Sequence, residues 1–141
     1  MSYSGDTGEI SARFRPTREV EDLNFSSGPV ARLVAPGSAT GGQFGLFEWN
    51  MPARAGGAGP HFHRYFSESF FVTEGEVRLY DGGKWVTAQK GDFLYVPEGG
   101  IHGFRNESDA STRKQVLKRP PLPKASPEPR NCRRIALVNE G

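Results

Sequence analysis

Between Val30 and Arg105 the chain is cut by Gly and Pro into short runs rich in β-branched and aromatic residues. They are VARLVA (30–35), FGLFEWNM (44–51), ESFFVT (68–73), EVRLY (76–80), KWVT (84–87), DFLYV (92–96) and IHGFR (101–105). None keeps a helical apolar period, and turn signals recurring at such short intervals belong to a β-sandwich or barrel. The 18 glycines and 11 prolines among 141 residues supply the turns. An all-β, antiparallel domain is expected, and a helical bundle is disfavoured. Glu74-Gly75 and Asp81-Gly82-Gly83 read as hairpin linkers in which Gly provides a positive φ, so consecutive strands are expected to pair as antiparallel neighbours.

The flanks differ from this middle. Residues 1–29 are polar with isolated Phe14, Val20, Leu23 and Phe25, which suggests an irregular or short-stranded arm. Past residue 112 there is no aromatic residue, and five prolines fall between 120 and 129. STRKQVLK (111–118) can add one last strand. Residues 119–141 are expected to form an extended or disordered Pro-rich basic tail, because proline cannot donate to a ladder and little apolar area is available. The expected organisation is therefore an arm over 1–29, a barrel over 30–118 and a tail over 119–141. Thirteen of the sixteen aromatics lie between Phe44 and Phe104, which puts the core and any pocket there.

The formal charge of +2 hides an asymmetry. Residues 1–112 carry ten Lys/Arg against fourteen Asp/Glu, and residues 113–141 carry eight against two. An acidic body is poorly suited to phosphate backbones, so nucleic acid is an unfavoured partner and the basic tail reads as solvated. Cys132 is the one cysteine, which excludes an internal disulfide and a thiolate-rich zinc site. No apolar stretch approaches the ~20 residues of a membrane span and no leader-like segment opens the chain. A cytoplasmic location is expected.

The three histidines fall in two short segments. In the first, His61-Phe62-His63 is followed after four residues by Glu68 and after six more by Gly75. Two histidines two apart on a strand share a face, and Glu68 opens the next run. The second segment is Gly91, Pro97, Gly99, His102 and Asn106, a strand end and turn that return the third histidine to the sheet. Three imidazoles and one carboxylate suit iron, manganese, cobalt, nickel, copper or zinc. Taken alone, such a His pair is more often a surface or hydrogen-bonded feature, and Glu68 could instead orient a histidine.

Together the two segments resemble the paired motifs of the cupin superfamily. The second motif, Gly-x5-Pro-x-Gly-x2-His-x3-Asn, is matched in full, and the first departs only in having Ala55 at the leading Gly position, with Gly56 and Gly57 directly after. The wording of the first motif is most similar to small quercetin-dioxygenase-like cupins. The resemblance covers about residues 30–112. It implies a small antiparallel double-stranded β-helix, or jelly-roll barrel, in which His61, His63, Glu68 and His102 ligate one divalent transition metal. It also implies a homodimer that packs sheets or exchanges the arm.

Period-2 counting from Glu68 turns Phe70 and Val72 inward and Phe71 outward, where it can serve a subunit contact. Counting from His102 turns Phe104 inward. Phe70 and Phe104 are the expected pocket walls, with Phe47 and Trp49 as further candidates, although a small barrel also fills its interior with such residues. Glu68 and Tyr95 are candidate acids or bases, while Gly99 and Asn106 read as turn-closing residues. The expected function is dioxygenation of a small aromatic or enol-bearing molecule. The alternatives are metal-dependent isomerase or decarboxylase chemistry, or a non-enzymatic small-molecule-binding protein.

Overall fold

The computed structural model describes residues 3–120. The tail expected over 119–141 lies outside the described residues from Pro121 onward, while Arg119 belongs to the last strand. Among the described residues there are nine strands: β1 Glu21–Asn24, β2 Val30–Ala35, β3 Gly45–Met51, β4 Ser67–Glu74, β5 Glu76–Tyr80, β6 Trp85–Gln89, β7 Phe93–Val96, β8 Gly103–Arg105 and β9 Thr112–Arg119. They form a six-stranded sheet in the order β1-β2-β3-β9-β4-β7 and a three-stranded sheet in the order β6-β5-β8. All named pairings are antiparallel. The arm thus supplies a short edge strand, β1, paired with β2. No helix among the described residues is long and apolar enough to cross a membrane.

The expectation that consecutive strands pair is corrected in part. It holds for β1-β2, β2-β3 and β5-β6, where Asp81 Oδ1 accepts from the Gly83 and Lys84 amides to close the turn. It fails at Glu74-Gly75, because β4 pairs with β7 and β9 while β5 pairs with β6 and β8. Gly75 is the corner at which the chain passes from one sheet to the other. Its φ is +70°, and a Cβ there would lie 2.9 Å from the Ser111 carbonyl oxygen. Both hairpins and sheet corners need a positive φ in a two-residue linker, so the same residues serve either.

Alternation fixes the interior. In β4, Glu68, Phe70 and Val72 are buried and Phe71 is exposed; in β9, Thr112, Lys114, Val116 and Lys118 are buried and Arg113 and Gln115 are exposed. Strand β9 lies between β3 and β4, and its register stacks the inward residues in rows. Phe47, Val116 and Phe70 make one row; Gly45, Lys118, Glu68 and Val96 make the next. The apolar row joins Met51, Val77, Leu79 and Phe104 in the core, and the row containing Glu68 carries the polar chemistry.

Candidate metal centre

Each of the four site residues is held by different backbone. Glu68 is on a central strand and Lys118 is its direct cross-strand partner. His102 precedes β8 and makes a two-bond backbone bridge with His61, each amide donating to the other's carbonyl at 2.9 Å. The segment bearing His61 and His63 is therefore a loop bridged to His102 at His61, not a regular strand. It lies close against residues 102–106, with Phe104 N donating to Ala58 O and Asn106 N to Ala55 O. A Cβ at Gly57 would collide with the Phe104 carbonyl, so this approach requires glycine there. Asn106 locks the neighbouring loop: its Nδ2 faces the carbonyls of Met51, Pro52 and Ala110, and its Oδ1 accepts from Ser108.

One ligand atom from each of His61, His63, Glu68 and His102 lies within 4.8 Å of the others. Glu68 Oε2 is 3.0 Å from His63 Nε2 and 2.7 Å from His102 Nε2. The Nδ1 atoms of His61 and His102 face the Gly59 and Gly100 carbonyls at 2.6 and 2.9 Å. A carbonyl only accepts, so each Nδ1 carries the proton and each neutral ring turns an Nε2 lone pair to the centre. At His102 that lone pair would meet the lone pairs of Glu68 Oε2, an arrangement that calls for positive charge between them. A divalent transition ion supplies it, and the donor set of three nitrogens and one oxygen fits such an ion.

Burial favours the same reading. His63, Glu68 and His102 are all buried, and His102 has no exposed surface. Desolvation pushes the Glu68 carboxyl upward. In the metal-free protein, where His102 and His63 turn an Nε2 proton rather than a lone pair to the carboxylate, these hydrogen bonds, with the Lys118 ammonium nearby, outweigh it and hold the group well below the usual carboxylate range. Desolvation lowers His61, the Gly59 carbonyl partly opposes this, and the neighbouring histidines add to it. His61 is thereby kept in its neutral, ligating form.

A family model described as "Cupin domain" matches residues 47–114, which include all four site residues. The chain belongs to the cupin superfamily. It is 32% identical over 96 residues to quercetin 2,3-dioxygenase of Bacillus subtilis, a match covering 68% of this cupin and 28% of that protein. It is 35% identical over 52 residues to a protein of Aquifex aeolicus, covering 37% of this chain and 43% of that one. The chain thus spans less than half the length of these relatives. Among solved structures, a polyketide cyclase from Streptomyces resistomycificus superposes with a TM-score of 0.64 at 18% identity, over 91% of this chain and 95% of that chain. A cupin-superfamily sugar phosphate isomerase from Silicibacter pomeroyi superposes with a TM-score of 0.56 at 28% identity, over 64% and 60%.

A cavity of about 270 Å³ opens onto the cupin site, walled by Phe25, Ser27, Pro29, Trp49, Gly56, Gly57, Ala58 and Phe104, with His61, His63, Glu68 and Lys118 contributing polar atoms. Trp49 and Phe104 line this cavity, and their rings meet edge to face at 5.2 Å. Phe47 and Phe70 require correction. Both are fully buried core residues outside the cavity lining, and Phe70 instead backs the His102 ring at 5.8 Å. Tyr95 also requires correction as an acid or base candidate. It pairs with Ser69 on the outward face of β7 and is 59% exposed, one residue out of phase with Glu68.

Two contributions escaped the sequence reading. Phe25, Ser27 and Pro29 come from the arm, at the β1-β2 turn, and line the cavity; Phe25 stacks on Trp49 at 5.1 Å. Lys114 and Lys118 were hidden in a basic run, TRKQVLKR, with no acidic residue. The strand's own pattern gives no clear signal, because the adjacent apolar residues Val116 and Leu117 point to opposite faces; the structure buries Val116, and the two lysines share its parity.

Proposed function

We propose that this cupin is a mononuclear metal enzyme of the dioxygenase type, acting on a small aromatic or enol-bearing molecule. The observation that carries the reading is the convergence of three imidazoles and a carboxylate at one end of a cavity walled by Phe25, Trp49 and Phe104. The likeness to a quercetin 2,3-dioxygenase supports it. When bound, the metal supplies Lewis-acid polarisation and, if redox-active, dioxygen chemistry. The chain's own residues do the rest. Phe25, Trp49 and Phe104 offer ring faces that orient a planar substrate and exclude water. Glu68, fixed between His63 and His102, keeps its charge, and the carbonyls of Gly59 and Gly100 hold two imidazoles in the tautomer that presents Nε2.

The test is oxygen uptake by metal-loaded protein with flavonol, β-diketone and catechol substrates. Uptake above background with at least one of them is expected; background uptake with all three would overturn the reading. A metal-dependent isomerase or decarboxylase, favoured by the likeness to the sugar phosphate isomerase, would then take its place. The same proposal includes a homodimer. Phe71 and Phe93 are paired across β4 and β7 and stand exposed beside Tyr95 on the outer face, an apolar patch suited to a second copy.

A further inference from the structure

We propose that the cavity is sized for a single-ring substrate, a monocyclic enol or phenol that ligates the metal through its oxygens, and that Phe25 is the residue that turns multi-ring molecules away. This deepens the metal-enzyme reading, since it names the substrate class of the same site, and it rests on that reading.

The first observation is volume. A cavity of about 150 Å³ holds one benzene molecule, and pockets for drug-sized ligands run from about 300 Å³ upward. The cavity here has about 270 Å³. Three of the four ligating residues, His61, His63 and Glu68, form part of its lining, so a share of that space goes to the metal and the oxygens bound to it. The remainder holds one ring with a short substituent. Three rings need roughly three times the benzene volume, well beyond what is left.

The second observation is how firmly each wall stands. Phe104 is buried and clamped: the Lys114 Nζ sits 3.0 Å from its ring centroid, the Phe70 ring is 5.9 Å away, and a Cβ at Gly57 would collide with its ring. A wall packed this closely does not give way to an extra ring. Trp49 meets Phe104 edge to face at 5.2 Å and belongs to β3, which is flanked by β2 and β9. Phe25 stands differently. It directly follows β1, the outermost strand of the large sheet, and is half-buried. Its ring lies nearly parallel to that of Trp49, at 16° and 5.1 Å, and so occupies a face of Trp49 that a ligand ring could otherwise use. Phe25 is therefore the wall whose truncation enlarges the cavity with least disturbance of the core. Apolar area alone argues the other way. Each added ring brings more surface to bury, so a pocket without a size limit holds the larger of two molecules with the same head more tightly.

The test compares maltol and 3-hydroxyflavone, which share a 3-hydroxy-4-pyranone head and carry one and three rings. Their binding to the metal-loaded protein is followed by ultraviolet-visible titration without dioxygen. The wild type is expected to bind maltol at least about tenfold more tightly than 3-hydroxyflavone, the scale on which overpacking acts. Phe25→Ala is expected to lose most of that preference by admitting the flavone, at unchanged metal content. Phe25→Leu gives the same comparison if the alanine variant does not fold. Equal or tighter binding of the flavone by the wild type, no binding of maltol, or a maltol preference that survives truncation of Phe25 would each overturn the proposal. Neither probe is turned over without dioxygen, so the outcome separates from the oxygen-uptake result. A maltol preference that depends on Phe25, without oxygen uptake from any substrate, removes the dioxygenase reading alone; uptake together with tighter flavone binding removes this one alone.

Discussion

Lys114 offers the sharpest quantitative test. Its side chain has no exposed surface, and its Nζ has no hydrogen-bond partner among the described residues. It lies 3.0 Å from the centroid of Phe104 and 4.0 Å from that of Phe70. Ring faces favour a charged ammonium by about 2 kcal/mol at best, whereas withdrawing an ion from water costs several. Desolvation wins and drives the Lys114 pKa well below the ordinary 10.5, more than the attraction of Glu68 restores, which favours the neutral amine in the folded protein. The unfolded chain is protonated up to about 10.4. Between the depressed folded value and that limit, unfolding takes up one proton, and stability rises with pH by about 1.4 kcal/mol per unit from this residue. Lys114→Met keeps most of the apolar stem and removes both the orphaned amine and the proton uptake. Urea denaturation of both proteins at pH 7, 8 and 9 is the assay. The variant is expected to be more stable at pH 7, by about 1–3 kcal/mol from the removed unsatisfied amine alone. Its advantage should shrink by about 1.4 kcal/mol for each unit of rising pH. A variant less stable than wild type at pH 7, or a gap that does not move with pH, would refute the neutral buried amine.

Other expectations follow from the same geometry. Elemental analysis should find one transition ion per chain after reconstitution, and His102→Ala should lose it to a chelator while keeping its fold by circular dichroism. In metal-free protein, the lowered Glu68 pKa contributes stability that is full above the usual carboxylate value of 4.5 and is lost as pH falls below it. Glu68→Gln should accordingly flatten the acid limb of a pH-denaturation curve, and an unchanged limb would contradict the assignment. Gly75→Ala forces a side chain into a positive-φ corner against the Ser111 carbonyl, with an expected loss of about 1–3 kcal/mol in a urea titration. Phe71→Glu with Phe93→Lys should convert a dimer to monomer in light scattering; a wild type that is already monomeric counts against the proposed dimer.

What the sequence made legible was set by how local each signal is. His61, His63, Glu68 and His102 could be located because their spacings are tied to turns that only certain residues can make, Gly75, Pro97 and Gly99 among them. The strands were legible through alternation and punctuation, to within a residue or two for β2, β3 and β4. The pairing of β4 with β9 was not, because a two-residue glycine linker serves a hairpin and a corner equally. Phe47 and Phe70 have the right parity for the pocket but lie in the row beneath it, and parity carries no information about depth. The lysines of β9 were obscured by their charge, since ammonium groups are expected to seek water, and by the adjacent Val116 and Leu117, which leave the strand's inward phase undecided.

The position of β9 bears on how the molecule is assembled. It is the strand between β3 and β4, so without it the large sheet is two separate pieces, β1-β2-β3 and β4-β7, that share no ladder. Its partners in β3 lie some sixty to seventy residues earlier in the chain, as with Trp49 and Lys114. Pairings of such long range are formed late and slowly, since the loop must close before the contacts reward it. Lys118 takes its place beside Glu68 in that same step, so the cavity and the continuous sheet come into being together, and a chain arrested before β9 docks would have the histidines but no finished pocket.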